Sequence, residues 1–83
     1  MNKPSPSNNF LRDQVKASLH QYFSLLDGVA PTDIYNLVLS EVVPALLEVV
    51  LEYTQGNQSK AAAWLGVNRG TLRKLLQKHG LET

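Results

Sequence analysis

Apolar residues recur along this chain at helical intervals. Leu11, Val15, Leu19, Tyr22 and Leu26 follow steps of three and four, with Phe23 beside them. That spacing lays one apolar stripe on a helix. Gly28 supplies the left-handed residue that closes such a helix, so the pattern predicts a first helix over about residues 11–26. Ahead of it, residues 1–9 are rich in Ser, Pro and Asn and read as a flexible tail. A second start follows Pro31. There, Thr32 or Asp33 can accept a hydrogen bond from the free backbone N–H groups of a first helical turn.

The segment 33–54 does not keep to one stripe. Ile34, Leu37, Val38, Leu39, Val42, Val43, Leu46, Leu47, Val49, Val50, Leu51 and Tyr53 cover most of its circumference. Runs of Val and Leu also suit paired strands, but the length of the segment and its lack of a central turn favour a helix. A helix that is apolar on most sides must be buried on most sides. A chain of 83 residues has few other elements to wrap it. The simplest cover is a second copy of the same helix in a two-fold dimer, with Val38, Val42, Leu46, Leu47 and Val50 as its expected core. Pro44 lies inside the run, where it removes one helix hydrogen bond and presses on the Ser40 carbonyl, so a kink is expected. Gly56 closes this second helix.

Two short helices complete the pattern. The first covers about residues 58–65, with Asn57 or Gln58 at its cap and Ala61-Ala62-Ala63 as strong helix formers. Gly66-Val67 turns the chain, and Asn68 is placed to cap a last helix over about 69–79 that ends at Gly80. The expected fold is all-α. It has a tail over 1–9, a dimerisation core of two long helices over 10–56 and a helix-turn-helix over 57–83.

Composition removes several function classes. There is no cysteine, which excludes disulfides and thiolate metal sites. His20 and His79 lie far apart and form no ligand cluster, so neither a metal nor a cofactor is expected. The N-terminus lacks the apolar run of a signal peptide. Asn36, Ser40, Glu41, Pro44 and Glu48 interrupt the longest apolar stretch, which argues against a membrane span. A soluble cytoplasmic protein is expected. At this size, without staples, stability must come from helix packing or oligomerisation.

The net charge of +1 hides an uneven distribution. Over residues 1–54, Lys3, Arg12 and Lys16 stand against Asp13, Asp27, Asp33, Glu41, Glu48 and Glu52. Over residues 55–83, Lys60, Arg69, Arg73, Lys74 and Lys78 stand against Glu82 alone. A basic end on an acidic-leaning body fits a polyanion partner, although a solvated surface can carry the same charges.

The C-terminal spacing is that of a helix-turn-helix. Counting from Gln58, the fifth place is the small Ala62 and the ninth is Gly66, where the chain must reverse. Leu65, Val67, Leu72 and Leu75 supply the small core that sets the crossing angle. Helix hairpins that bind no DNA can share this framework. The polar residues sharpen it, because Arg69, Arg73 and Lys74 fall near the start of the last helix, where recognition helices meet base edges. Arg69 can give two parallel hydrogen bonds to guanine. Asn68 can reach a base or cap the helix, and Thr71, Arg73 and Lys74 suit phosphate oxygens. Trp64 could stack on a base, but its spacing favours a packing role, and Tyr22, Phe23, Tyr35 and Tyr53 likewise read as core.

These residues make the sequence resemble the Fis family, the nucleoid-associated DNA-bending regulators. The resemblance runs from about Leu11-Arg12-Asp13 to Gly80 and is densest in Tyr53-Thr54-Gln55-Gly56-Asn57-Gln58 and Asn68-Arg69-Gly70-Thr71-Leu72-Arg73-Lys74. The C-terminal module is also similar to the DNA-binding domain of nitrogen-regulator-type activators, but this chain has no Walker-type glycine loop for their ATPase. The resemblance implies a four-helix protomer in an intertwined homodimer. It implies two recognition helices in successive major grooves, closer together than one DNA turn, so that the DNA bends and deformability contributes to sequence preference. It places Arg69 on a guanine, Asn68 at or near bases, and Asn57, Ser59, Thr71, Arg73 and Lys74 on phosphates. Lys60 and Lys78 are weaker candidates. The chain departs from the family in three places. Only about ten residues precede the first helix, where the best known members carry a β-hairpin arm that contacts invertases, so recombinase activation is not expected. Ala45 separates Pro44 from Leu46-Leu47, and Leu75 and Gln77 stand in a last helix that is richer in lysine elsewhere.

Two other classes compete with a DNA-binding and DNA-bending regulator. A protein-interaction module could use the same basic helix to dock an acidic partner. An enzyme is not expected, because the sequence offers no nucleophile–base pair, no carboxylate pair with a plausible pocket and no metal spacing.

Overall fold

The computed structural model describes residues 8–82 and places four α-helices there, α1 (Asn8–Leu25), α2 (Ile34–Tyr53), α3 (Gln58–Leu65) and α4 (Arg69–Lys78). Among the described residues there is no strand, and the fold is all-α as expected. Residues 1–7 of the expected tail lie outside the described residues, whereas Asn8 and Asn9 open α1. The described residues form two compact units, one holding α1 and one running from Asp33 onward.

In α1 the Arg12 guanidinium donates to Asn9 Oδ1 at 3.0 Å, which ties down the first turn. The Tyr22 and Phe23 rings lie 6.1 Å apart in a tilted arrangement. Leu19 and Leu26 are half-buried, but Leu11, Val15, Tyr22 and Phe23 are exposed. Beyond the helix, Gly28 takes φ +83°, and the Val29 N–H donates to the Leu26 carbonyl at 3.0 Å.

The start of α2 corrects an expectation. Asp33 precedes the helix in the left-handed conformation, φ 53° and ψ 34°, and its side chain caps no backbone N–H. Its Oδ1 accepts from the Asn36 side chain at 2.8 Å instead. A capping carboxylate needs the extended backbone that points it back along the helix axis, and Asp33 lacks that backbone. Further on, α2 runs unbroken through Pro44. Pro44 has no N–H to give the Ser40 carbonyl, and the Ser40 hydroxyl donates to the Leu37 carbonyl at 2.7 Å.

α2 uses one of its faces to hold α3 and α4. Leu47, only 1% exposed, packs with Ala61 and Ala62 of α3 and Leu72 and Leu76 of α4. Val43, Val50 and Leu51 flank it. Thr54 is buried at the end of this face, and its hydroxyl donates to the Val50 carbonyl at 2.9 Å, so no polar group is stranded there. Burial of Leu47, Leu72 and Leu76, at about 1.5–3 kcal/mol each, is the main attraction that holds the three helices together.

Glycine turns close α3 and α4. Gly66 (φ +76°) and Gly80 (φ +68°) occupy the left-handed region where a Cβ would be strained. The residue after each, Val67 and Leu81, drops onto the core while its N–H reaches back to a carbonyl of the last turn, Ala62 at 3.0 Å and Leu76 at 2.8 Å. This apolar contact just past the helix end accompanies the C-terminal capping motif.

By length and mean hydropathy (20 residues, 1.8), α2 could cross a membrane. Its middle argues otherwise. Glu41 and Glu48 are exposed there, which in hydrocarbon costs several kcal/mol, and the Leu47 face is occupied by α3 and α4. Within this chain only the Leu47 face of α2 is covered.

Candidate nucleic-acid interface

The α3–turn–α4 pair is built from small residues inside and charged residues outside. Ala61 and Ala62 are both buried, and their small side chains let α4 approach α3 closely. Leu72 and Leu76 lie one turn apart on the inner face of α4, with half-buried Leu75 beside them. At about 100° per residue, the face opposite Leu72 and Leu76 carries Gly70, Lys74, Gln77 and Lys78. Thr71 lies at one edge of that face, Arg73 flanks it on the other side, and Arg69 stands in the first turn. All of these outer residues are exposed.

Both helices begin on an asparagine cap. Asn57 Oδ1 accepts from the Lys60 N–H at 3.0 Å, and Asn68 Oδ1 accepts from the Thr71 N–H at 2.7 Å. Each asparagine has the extended backbone of a cap residue. For Asn68, the cap therefore takes the side-chain oxygen and leaves the amide nitrogen for an outside partner. Asn57, which the resemblance places on a phosphate, is occupied in the same way.

The basic side chains are uncommitted. Arg69, Arg73, Lys74 and Lys78 have neither an ion-pair partner nor a side-chain hydrogen bond among the described residues. Lys60 and Ser59 stand exposed on α3. Four cations on one ten-residue helix with no internal carboxylate partner form a positive surface that the fold itself does not use. The free N–H groups and dipole of the helix start add to its attraction for anions.

Several residues read from the sequence as packed are exposed within the single chain. Trp64, expected in a core or dimer-adjacent packing role, is 56% exposed within this chain, so the core of this chain does not hold it. The reason lies in its neighbours: the α3 face that meets the core is set by Ala61, Ala62 and Leu65, and Trp64 points away from it. Tyr22, Phe23, Tyr35 and Tyr53, also read as core, are exposed within this chain. The five residues expected in a dimer core divide. Leu47 is buried and Val50 half-buried in the core shared with α3 and α4, Val38 is half-buried, and Val42 and Leu46 are exposed. Sequence reasoning gave Gly70 no role of its own, although it alone of the five glycines lacks a positive φ.

A groove of about 360 Å³ is lined by Asn36, Leu39, Ser40, Val43, Leu75, Lys78 and His79. No carboxylate lines it, and the Ser40 hydroxyl there donates to the Leu37 carbonyl. Among the described residues, no group of three His, Cys, Asp or Glu could hold a metal ion.

Comparison with known proteins agrees with this geometry. The family described as bacterial regulatory protein, Fis family, matches residues 44–79, from the middle of α2 to the end of α4. The chain is 55% identical over 74 residues to the DNA-binding protein Fis of Mannheimia haemolytica, covering 89% of this chain and 76% of that one. It is 56% identical over 75 residues to the protein of the same name from Actinobacillus succinogenes, covering 90% and 76%. Against that of Vibrio cholerae serotype O1 it is 54% identical over 71 residues, covering 86% and 72%.

Proposed function

The chain belongs to the Fis family of bacterial regulatory proteins, and from that membership we propose that it binds and bends duplex DNA as a homodimer and regulates transcription in the nucleoid. As a family member it is a DNA-binding regulator and not an enzyme. The observation that carries the reading is the uncommitted basic outer face of α4, set on a helix whose inner face is anchored by Leu72 and Leu76. In this proposal α4 enters the major groove. Arg69, projecting from the first turn, reads a guanine through two parallel hydrogen bonds. The Asn68 amide nitrogen reaches toward a base edge while its oxygen holds the cap. Thr71, Arg73 and Lys74 hold phosphates, with Asn57 and Ser59 at the start of α3 doing the same and Lys60 and Lys78 adding weaker attraction.

The second copy is proposed from α2. Tyr35, Leu39, Val42, Leu46, Val49 and Tyr53 follow steps of four and three, and all six are exposed. They form a stripe about 27 Å long at 1.5 Å per residue, away from the Leu47 face. Monomeric proteins seldom leave so long an apolar stripe in water. A second copy presenting the same stripe across a two-fold axis would cover it, with residues 10–56 supplying the dimer body and 57–83 the DNA-binding heads. In that arrangement α2 serves both roles, one face for the partner and one for its own α3 and α4. Recombinase activation is not part of the proposal.

Gel-shift titration tests the assignment. Arg69→Ala should lose about 1–3 kcal/mol at a preferred duplex, the worth of one bidentate base contact. Unchanged affinity would remove Arg69 from its role. If the wild-type chain bound no duplex even at low salt, the DNA reading would fall and a protein partner for the basic helix would be favoured.

A further inference from the structure

The five glycines of this chain fall into two kinds. Gly28, Gly56, Gly66 and Gly80 all have positive φ and each stands just past a helix, where the backbone itself calls for glycine. Gly70 has no such backbone. It lies inside α4, in ordinary helical conformation, one residue after Arg69.

Neither conformation nor packing within the chain accounts for this glycine. A Cβ built on Gly70 would meet one neighbour, the Asn68 capping oxygen at 3.4 Å, which is the near edge of ordinary van der Waals contact. The rest of the space around it is open. Alanine would also make the better helix there, because glycine leaves more backbone freedom to be lost. The fold by itself therefore favours alanine at this position.

Its placement points to what does exclude a side chain. Gly70 lies on the outer face of α4, opposite Leu72 and Leu76, in the i, i+4 row that continues through Lys74 and Lys78. Arg69 and Thr71 are its chain neighbours, so it sits amid the residues assigned to the DNA.

We infer that Gly70 is a specificity-determining position of the DNA interface, where the bare Cα lets the first turn of α4 seat against the duplex at a depth that a methyl group would prevent. The inference rests on the DNA-binding reading above. It assigns Gly70 no hydrogen bond and no charge. Its contribution is distance: Arg69 reaches a base edge only if the backbone beside it can come close enough, and glycine is the residue that permits close backbone approach. A methyl group here should cost binding without costing fold.

The test measures fold and binding in the same variants. Gly70→Ala and Gly70→Val are compared with wild type by thermal melting, by far-ultraviolet circular dichroism and by titration of a preferred and an arbitrary duplex over a range of salt. Gly70→Ala is expected to melt at or above the wild-type temperature and to keep its helix content. Its affinity for the preferred duplex should fall by about tenfold, with a smaller loss on arbitrary DNA. Gly70→Val should lose more. The slope of log affinity against log salt should stay at the wild-type value, because no cation has been removed. Gly70→Ala binding the preferred duplex within twofold of wild type overturns the inference while leaving the DNA reading intact. A lower melting temperature or lost helix content also overturns it, since the glycine would then serve the Asn68 cap. A wild-type chain that binds no duplex overturns both.

Discussion

At the residue scale, Asn68 divides its side chain between a capping oxygen and an amide donor left open for the proposed DNA contact. Its oxygen is committed to the Thr71 N–H at 2.7 Å, whereas its amide nitrogen has no partner among the described residues. Two substitutions separate these roles. Asn68→Ala removes the cap and should lower stability by about 0.5–2 kcal/mol, read by chemical denaturation. Asn68→Asp keeps a capping oxygen of equal quality and adds a favourable negative charge at the helix start, so stability should hold or rise slightly. Binding to duplex DNA should nevertheless fall sharply, because a carboxylate would face the phosphates and the amide donor is gone. If Asn68→Asp bound as well as wild type, the residue would be a cap and nothing more. Asn57 has the same cap geometry at α3, so the two positions can be read by one pair of experiments.

At the element scale, α2 carries two apolar faces with different work. Leu46 and Leu47 are neighbours in sequence, yet one is 50% exposed and the other 1%. A step of about 100° around the helix is all that separates them. Leu47→Ala opens a cavity between α2, α3 and α4 and should cost about 2–5 kcal/mol of stability. Leu46→Asp leaves that core alone and places a charge in the proposed partner face. It should give a monomer that keeps much of its helix content, detected by sedimentation velocity. A Leu46→Asp chain that sediments as wild type would remove the stripe from the dimer interface. A folded wild-type monomer at micromolar concentration would remove the dimer altogether. The same two-faced character explains why α2 is long and apolar enough to cross a membrane while carrying exposed glutamates at its middle.

At the scale of the whole molecule, a net charge of +1 would be a poor ground for expecting DNA affinity. Distribution matters more than the total. The acidic residues of α2 lie within the proposed dimer body, and the cations of α4 lie on the heads, so a two-fold assembly would present two basic surfaces to one duplex. Each phosphate contact contributes about 0.9 to the slope of log affinity against log salt, and a dimer carries every contact twice. Lys74→Ala should therefore flatten that slope by roughly 2 on any duplex, specific or arbitrary. An unchanged slope would show that Lys74 touches no phosphate. In the proposed dimer, bending would belong to the pair: a monomeric Leu46→Asp chain should lose it even where each head still binds, which bend-sensitive gel mobility would report.

The sequence by itself determined the four helices, their boundaries to within a few residues, the glycine turns, the asparagine caps and the helix-turn-helix with Arg69, Arg73 and Lys74 on it. All of these are local. A cap, a turn or an apolar stripe is decided within about four residues by backbone geometry and side-chain chemistry, and a linear string displays such windows directly. Membership of the Fis family was likewise legible in two short runs, Tyr53–Gln58 and Asn68–Lys74. Only the tertiary structure decided how the apolar surface of α2 is shared out. It assigned Leu47 and Val50 to α3 and α4, left Leu46 and Val42 exposed, and turned Trp64 outward. Those outcomes depend on which helices approach and how closely, and that is set by Ala61 and Ala62, residues that carry no such message when read alone. The oddity of Gly70 also needed coordinates. Its letter matches four other glycines, and only its φ and the open space around it show that the fold has no use for it.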